Sequence, residues 1–183
     1  MGISKFGCAE FKFSLDKLET VIDLSKDLPV NIFKGDGYLF WFFERPILCF
    51  FEVFSGLISN SVASFCSEVL IKFSGGKSLA NSCFSIDGTD VEKDVAWLSE
   101  RFESFFGGTV GYPIVLFEGG YKWVAFESAY EEFGVIAVKE SALHPGFRSY
   151  LNSNFLSIED LAMMASGSSA ESKTAKHLIS SYG

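Results

Sequence analysis

The chain has 183 residues, 48% of them hydrophobic and 21% charged, with 23 acids against 15 bases. That apolar fraction, with 21 phenylalanines, excludes a disordered chain, which would lack the apolar groups needed to offset its ordering entropy. A formal charge of −8 argues against a nucleic-acid or anionic-membrane binder, since both use a positive footprint, and is compatible with a basic protein partner.

In chain order, Met1-Gly2-Ile3-Ser4-Lys5 runs into an acidic, alternating segment, so no cleavable signal is expected. Phe6 stands where a myristoylation pattern wants Ser or Thr. Phe11, Phe13 and Leu15 alternate with Lys12 and Ser14, the period of a half-buried strand over 10–15. Leu18, Val21 and Ile22 follow helical spacing until Pro29. A short strand is expected at 30–33, closed by the turn Gly35-Asp36-Gly37. Residues 38–43 and 47–54 read as two aromatic strands around Glu44-Arg45-Pro46. A helix starting at Pro46 is the rival, since proline suits a first helical position. Glu44, Arg45, Pro46 and Glu52 interrupt 38–58 as a membrane span, which needs about 20 mostly uncharged residues.

Val62, Phe65, Cys66, Val69, Leu70 and Phe73 share one helical face, which predicts a helix from Asn60 or Ser61 to Gly75-Gly76. Thr89-Asp90-Val91-Glu92 reads as a capping box. It opens a second helix over 90–106 with the stripe Val91, Val95, Leu98, Phe102 and Phe105, ended by Gly107-Gly108. A meander follows: strand 112–118, the turn Gly119-Gly120, strand 121–127, a polar connection 128–133, and strand 135–138. Ser157 and Ser168-Ser169 can each cap a later helix. The expected fold is one α+β domain over 1–183. Its mainly antiparallel sheet carries two or three amphipathic helices and ends in a helical C-terminal segment, with 167–183 packing loosely.

Catalytic chemistry has few carriers. A nucleophile needs a base in reach, and His144 and His177 are the two histidines. Cys8, Cys49, Cys66 and Cys83 form no CxxC pair and read as structural free thiols in a cytoplasmic protein, with no metal and no cofactor expected. Gly75-Gly76-Lys77-Ser78 is like the end of a phosphate loop, but Ile71 stands where its first glycine belongs. Asp87, Asp90, Glu92 and Asp94 are dense, yet Gly88 falls too early for a calcium loop.

The charge is unevenly placed. Residues 87–140 hold eleven acids and four bases, nearly the whole excess. Within them Glu118, Glu127, Glu131, Glu132 and Glu140 fall at strand ends or in the connection, with Tyr130 interleaved. One reading is a solvated surface that aids solubility. The other is an acidic protein-binding knuckle, with side chains reaching outward.

The run from Ile114 through Tyr121-Lys122-Trp123 to Ser128, and from Glu132 to Val138, resembles small bacterial immunity proteins. These are the cytosolic antitoxins of contact-dependent growth inhibition and related polymorphic toxin systems. The shared pattern is an aromatic hairpin, an acidic connection and an aliphatic strand in an acidic protein. The resemblance implies a non-enzymatic inhibitor of a cognate, basic toxin, often a nuclease, which independently fits the charge. Two alternatives stay open: an acidic nucleic-acid mimic, and an enzyme of unrecognised type with His144 or a cysteine beside a perturbed acid.

Overall fold

The computed structural model describes residues 2–5, 14–77, 79, 82–102 and 111–183. Seven strands form one sheet: β1 Ile3–Lys5, β2 Tyr38–Glu44, β3 Val69–Lys72, β4 Cys83–Ile86, β5 Ile114–Glu118, β6 Trp123–Glu127 and β7 Phe133–Lys139. Their order is β1-β4-β3-β5-β6-β7-β2, with every neighbouring pair antiparallel. Beside a helical turn at 14–18, the helices among the described residues include α1 Phe51–Phe65, α2 Val91–Arg101, α3 Pro145–Asn154, α4 Ile158–Met164 and α5 Ala170–Tyr182.

The central strands are apolar on both sides, which is what a sheet covered on both faces requires. One face of β5 and β6, with Ile114, Leu116, Trp123 and Ala125, joins a core with Phe54, Leu57 and Ile58 of α1, Val95 and Leu98 of α2, and Phe147 and Leu151 of α3. The other face, with Val115, Phe117, Val124 and Phe126, packs on Leu18 and Ile22, Leu161 of α4, and Leu178 and Tyr182 of α5. The architecture is α+β, in three layers around one sheet. No helix among the described residues is long and apolar enough to cross a membrane.

Several local expectations are corrected. Residues 47–54 are not a strand: a 3-10 turn at Ile47–Cys49 leads into α1, as in the rival reading. Phe54, Leu57, Ile58 and Ser61 form its buried stripe. The apparent helical face from Val62 to Phe73 is divided, because Cys66 adopts a left-handed φ of 51° and ends α1. The Val69-Leu70-Ile71 run after it becomes β3, held between β4 and β5. The Thr89–Glu92 capping box does not form: Asp90 is the N-cap of α2, and the Thr89 amide turns back to Asp87 Oδ1 at 2.8 Å. The strand expected at 10–15 is not found at 14 and 15, which belong to a helical turn over 14–18, while 10–13 lie outside the described residues, as do Cys8, Phe105 and Gly107-Gly108. The strand expected at 30–33 reduces to one bridge between Ile22 and Phe33. Strands β1 and β4 were not anticipated. Among the thiols, Cys83 is buried, whereas Cys49 and Cys66 are exposed. The final helix, expected to pack loosely, buries Ala175, Leu178 and Tyr182.

Candidate functional site

Antiparallel pairing decides which of the expected partner-binding residues can act together. Ile114 pairs with Glu127 at one end of the sheet, and Val69 pairs with Glu118 at the other. Glu127, Tyr130, Glu131 and Glu132 therefore share one end. Glu118 and Glu140 sit at the opposite end, so only the first group lies together.

Glu118 is also not outward-facing. It is buried, and its Oε2 accepts the Lys122 amide at 3.1 Å, closing the β5–β6 turn. Glu140 is exposed, and its amide donates to the Gly37 carbonyl at 2.9 Å. Glu127 is fully buried too, contrary to the outward reach expected of it. Both inward turns follow from strand ends that are covered by loops.

The connection between β6 and β7 is a tightly held knuckle. Ser128 Oγ accepts the amides of Tyr130 and Glu131 at 3.0 and 2.8 Å, the local turn that serine favours. The Ala129 amide donates to Asp27 Oδ2 at 3.0 Å, and Thr174 of α5 donates to Glu131 Oε2 at 3.0 Å. Arg45, just past β2, donates through Nη1 to the carbonyls of Ser128 and Ala129 at 2.9 and 3.3 Å. Its Nη2 stands 3.6 Å from Glu132 Oε1. At the tip of this frame Tyr130 is 84% exposed. It stands on the rim of a groove of about 380 Å³ lined in part by Lys26, Asp27, Gly76, Lys77 and Tyr112. One wall of the groove is fixed from inside by Lys72, whose buried amine donates to the carbonyls of Phe73 and Lys77 and to Ser82 Oγ. Burial lowers that amine to about 8.

Behind the knuckle, Glu127 Oε2 accepts the Ile47 amide at 3.1 Å. Its Oε1 is buried with no hydrogen-bond partner among the described residues. Burial pushes the carboxyl up to about 7, and the Ile47 amide, the Tyr112 hydroxyl and Arg45 pull it back only in part. Tyr112 is itself raised by burial and by Glu127, and the Arg45 guanidinium lies 5.0 Å from its ring centroid. The two histidines are elsewhere: His144 is the N-cap of α3, its Nδ1 accepting the Gly146 amide at 3.2 Å, and His177 is exposed on α5.

The sequence marks the connection, Ser128 included, but not Arg45, Asp27 and Thr174, which position it, nor Tyr112, which lies against Glu127. The aliphatic runs on either side marked the loop, whereas no local signal marks contacts made across the fold. The chain matches no family model, no curated protein and no solved structure.

Proposed function

We propose that this protein is an inhibitor of the immunity type, binding a cognate toxin with the Tyr130 knuckle as anchor and neutralising it without catalysis. The observation that carries the reading is a large, amphipathic side chain, 84% exposed, on a loop already pinned by side chains from three parts of the fold. Tyrosine is a favoured anchor in protein interfaces, and a loop ordered beforehand loses little entropy on binding. Glu131 and Glu132 flank it, which suits a basic surface such as the phosphate groove of a nuclease. A binder is favoured over an enzyme because, among the described residues, the strongly raised carboxyl of Glu127 is closed to solvent, and His144 is engaged in a helix cap.

Co-expression with a toxin encoded immediately upstream tests this. The wild-type chain should rescue growth. Tyr130→Ala should fold normally and bind the toxin about 10- to 100-fold more weakly. Failure to rescue against every neighbouring toxin sinks the inhibitor reading, and full-strength binding by Tyr130→Ala removes the knuckle from the interface.

A further inference from the structure

The Glu127 carboxyl lies behind the knuckle, within electrostatic reach of the Arg45 guanidinium that holds it, and this inference rests on the docking reading above and adds its regulation. Arg45 Nη1 holds the Ser128 carbonyl at 2.9 Å and the Ala129 carbonyl, more loosely, at 3.3 Å. Glu127 is fully buried, with Oε2 on the Ile47 amide, the Tyr112 hydroxyl turned to the same carboxyl, and Oε1 making no hydrogen bond among the described residues. We propose that Glu127 is a protonation switch for the knuckle. Neutral, it leaves Arg45 on the two carbonyls and Tyr130 held outward; ionised, its Oε1 draws the guanidinium inward and loosens the loop.

Two kinds of partner compete for Arg45. A neutral carboxyl has little hold on Arg45, so the carbonyl dipoles and Glu132 keep it. A buried carboxylate with an open lone pair attracts the nearest cation more strongly than a peptide carbonyl does, because a full charge acts there in a low dielectric. Every packed element contributes groups that bear on this balance. Arg45 and Cys49 come from the connection after β2, Tyr112 from the approach to β5, Glu131 and Glu132 from the knuckle, and Asp27 from the 23–28 segment. Asp27 is committed to the amides of Ala129 and Leu28, and Glu131 to Thr174. Tyr112 is raised by burial and stays neutral. Cys49 is exposed. Glu132 is 75% exposed and can follow Arg45 only weakly. Glu127 is pushed up to about 7, which places the switch near neutrality.

Amide hydrogen exchange of residues 128–132, corrected for intrinsic rates, tests the switch at about pH 5.5 and about pH 8.5, where protection should fall roughly tenfold on going to the higher pH. Glu127→Gln should keep the low-pH protection at both values, and residues 114–118 of β5 should not change in either chain. Independently of any variant, the 13C resonance of the Glu127 carboxyl in the wild-type chain should titrate with a midpoint near 7. Equal protection at both pH values, a parallel change in Glu127→Gln, or a midpoint in the ordinary carboxylate range overturns the switch. None of these readouts uses a toxin. A flat exchange profile therefore leaves the docking reading intact, and failure to neutralise a toxin leaves the exchange result intact.

Discussion

At Glu127 desolvation and hydrogen bonding oppose each other, and desolvation wins, raising the carboxyl from 4.5 to about 7. The unfolded chain releases this proton near the lower value and the folded chain near the higher one. Between the two, the folded state binds more protons, so stability falls as pH rises through the window. Above it the loss is complete, about 3 kcal/mol for a shift of this size. Glutamine keeps the shape and cannot ionise. Urea titrations at about pH 5 and about pH 8 should therefore show the wild-type chain losing about 2.5 kcal/mol relative to Glu127→Gln on going to the higher pH, part of the loss having occurred already by pH 5. A difference between the two chains that is the same at both values would mean that water reaches the carboxyl. Lys72 shows the same conflict with the opposite sign, a buried cation lowered to about 8, but its three acceptors keep it useful as a clamp on the groove wall.

Between elements, the β2–β7 pairing depends on one missing side chain. Phe43 lies directly across from Gly134, and a Cβ at that glycine would sit 2.1 Å from Phe43 Cζ. Phe43 is itself buried in the core shared with α1 and α3, so it has little room to retreat. Gly134→Ala should lower stability by about 1–3 kcal/mol, the usual range for an overpacked site, read as a shifted denaturant midpoint with an unchanged slope. A midpoint within error of wild type would show that the ring can swing aside. The same strands explain what the sequence disclosed. The β5–β6 hairpin, β7 and the Ser157-capped helix are legible because each signal is local: a pair of glycines, an aliphatic run, and a capping serine. The turn is nevertheless residues 119–122 rather than Gly119-Gly120 alone, because Tyr121 takes a left-handed φ of 60°. The 62–73 stretch misled because a helix end and a following strand together mimic helical spacing, and a single left-handed residue, Cys66, separates them. The knuckle was legible as a polar connection, but its supports were not, since Thr174, Arg45 and Asp27 reach it across 43, 83 and 102 residues of sequence. Periodicity carries no information about such distant pairs.

For the whole molecule, the fold disperses a charge excess that is compact in sequence. Of the eleven acids in 87–140, Asp94, Glu118 and Glu127 are buried, and Glu103 lies outside the described residues. Asp87, Asp90, Glu92 and Glu100 lie on or just before α2, Glu131 and Glu132 on the knuckle, and Glu140 at the far end of the sheet. Long-range steering of a basic partner depends on exposed charge near the docking face, because salt screens charges more than about 10 Å away at ordinary ionic strength. Arg45 offsets part of the Glu132 charge. The knuckle should therefore guide association with modest strength rather than with the full excess of −8. Replacing Glu131 and Glu132 together with Gln should slow association with the neutralised toxin a few-fold and flatten its dependence on ionic strength, leaving dissociation nearly unchanged. Replacing Glu92 and Glu100 together, both exposed on α2, should alter neither. Stopped-flow association across a salt series separates the outcomes. If the α2 pair slows association and the knuckle pair does not, the docking face belongs to the helical layer. If neither pair changes the rate, the charge serves solubility, and recognition falls to Tyr130 and the groove beside it.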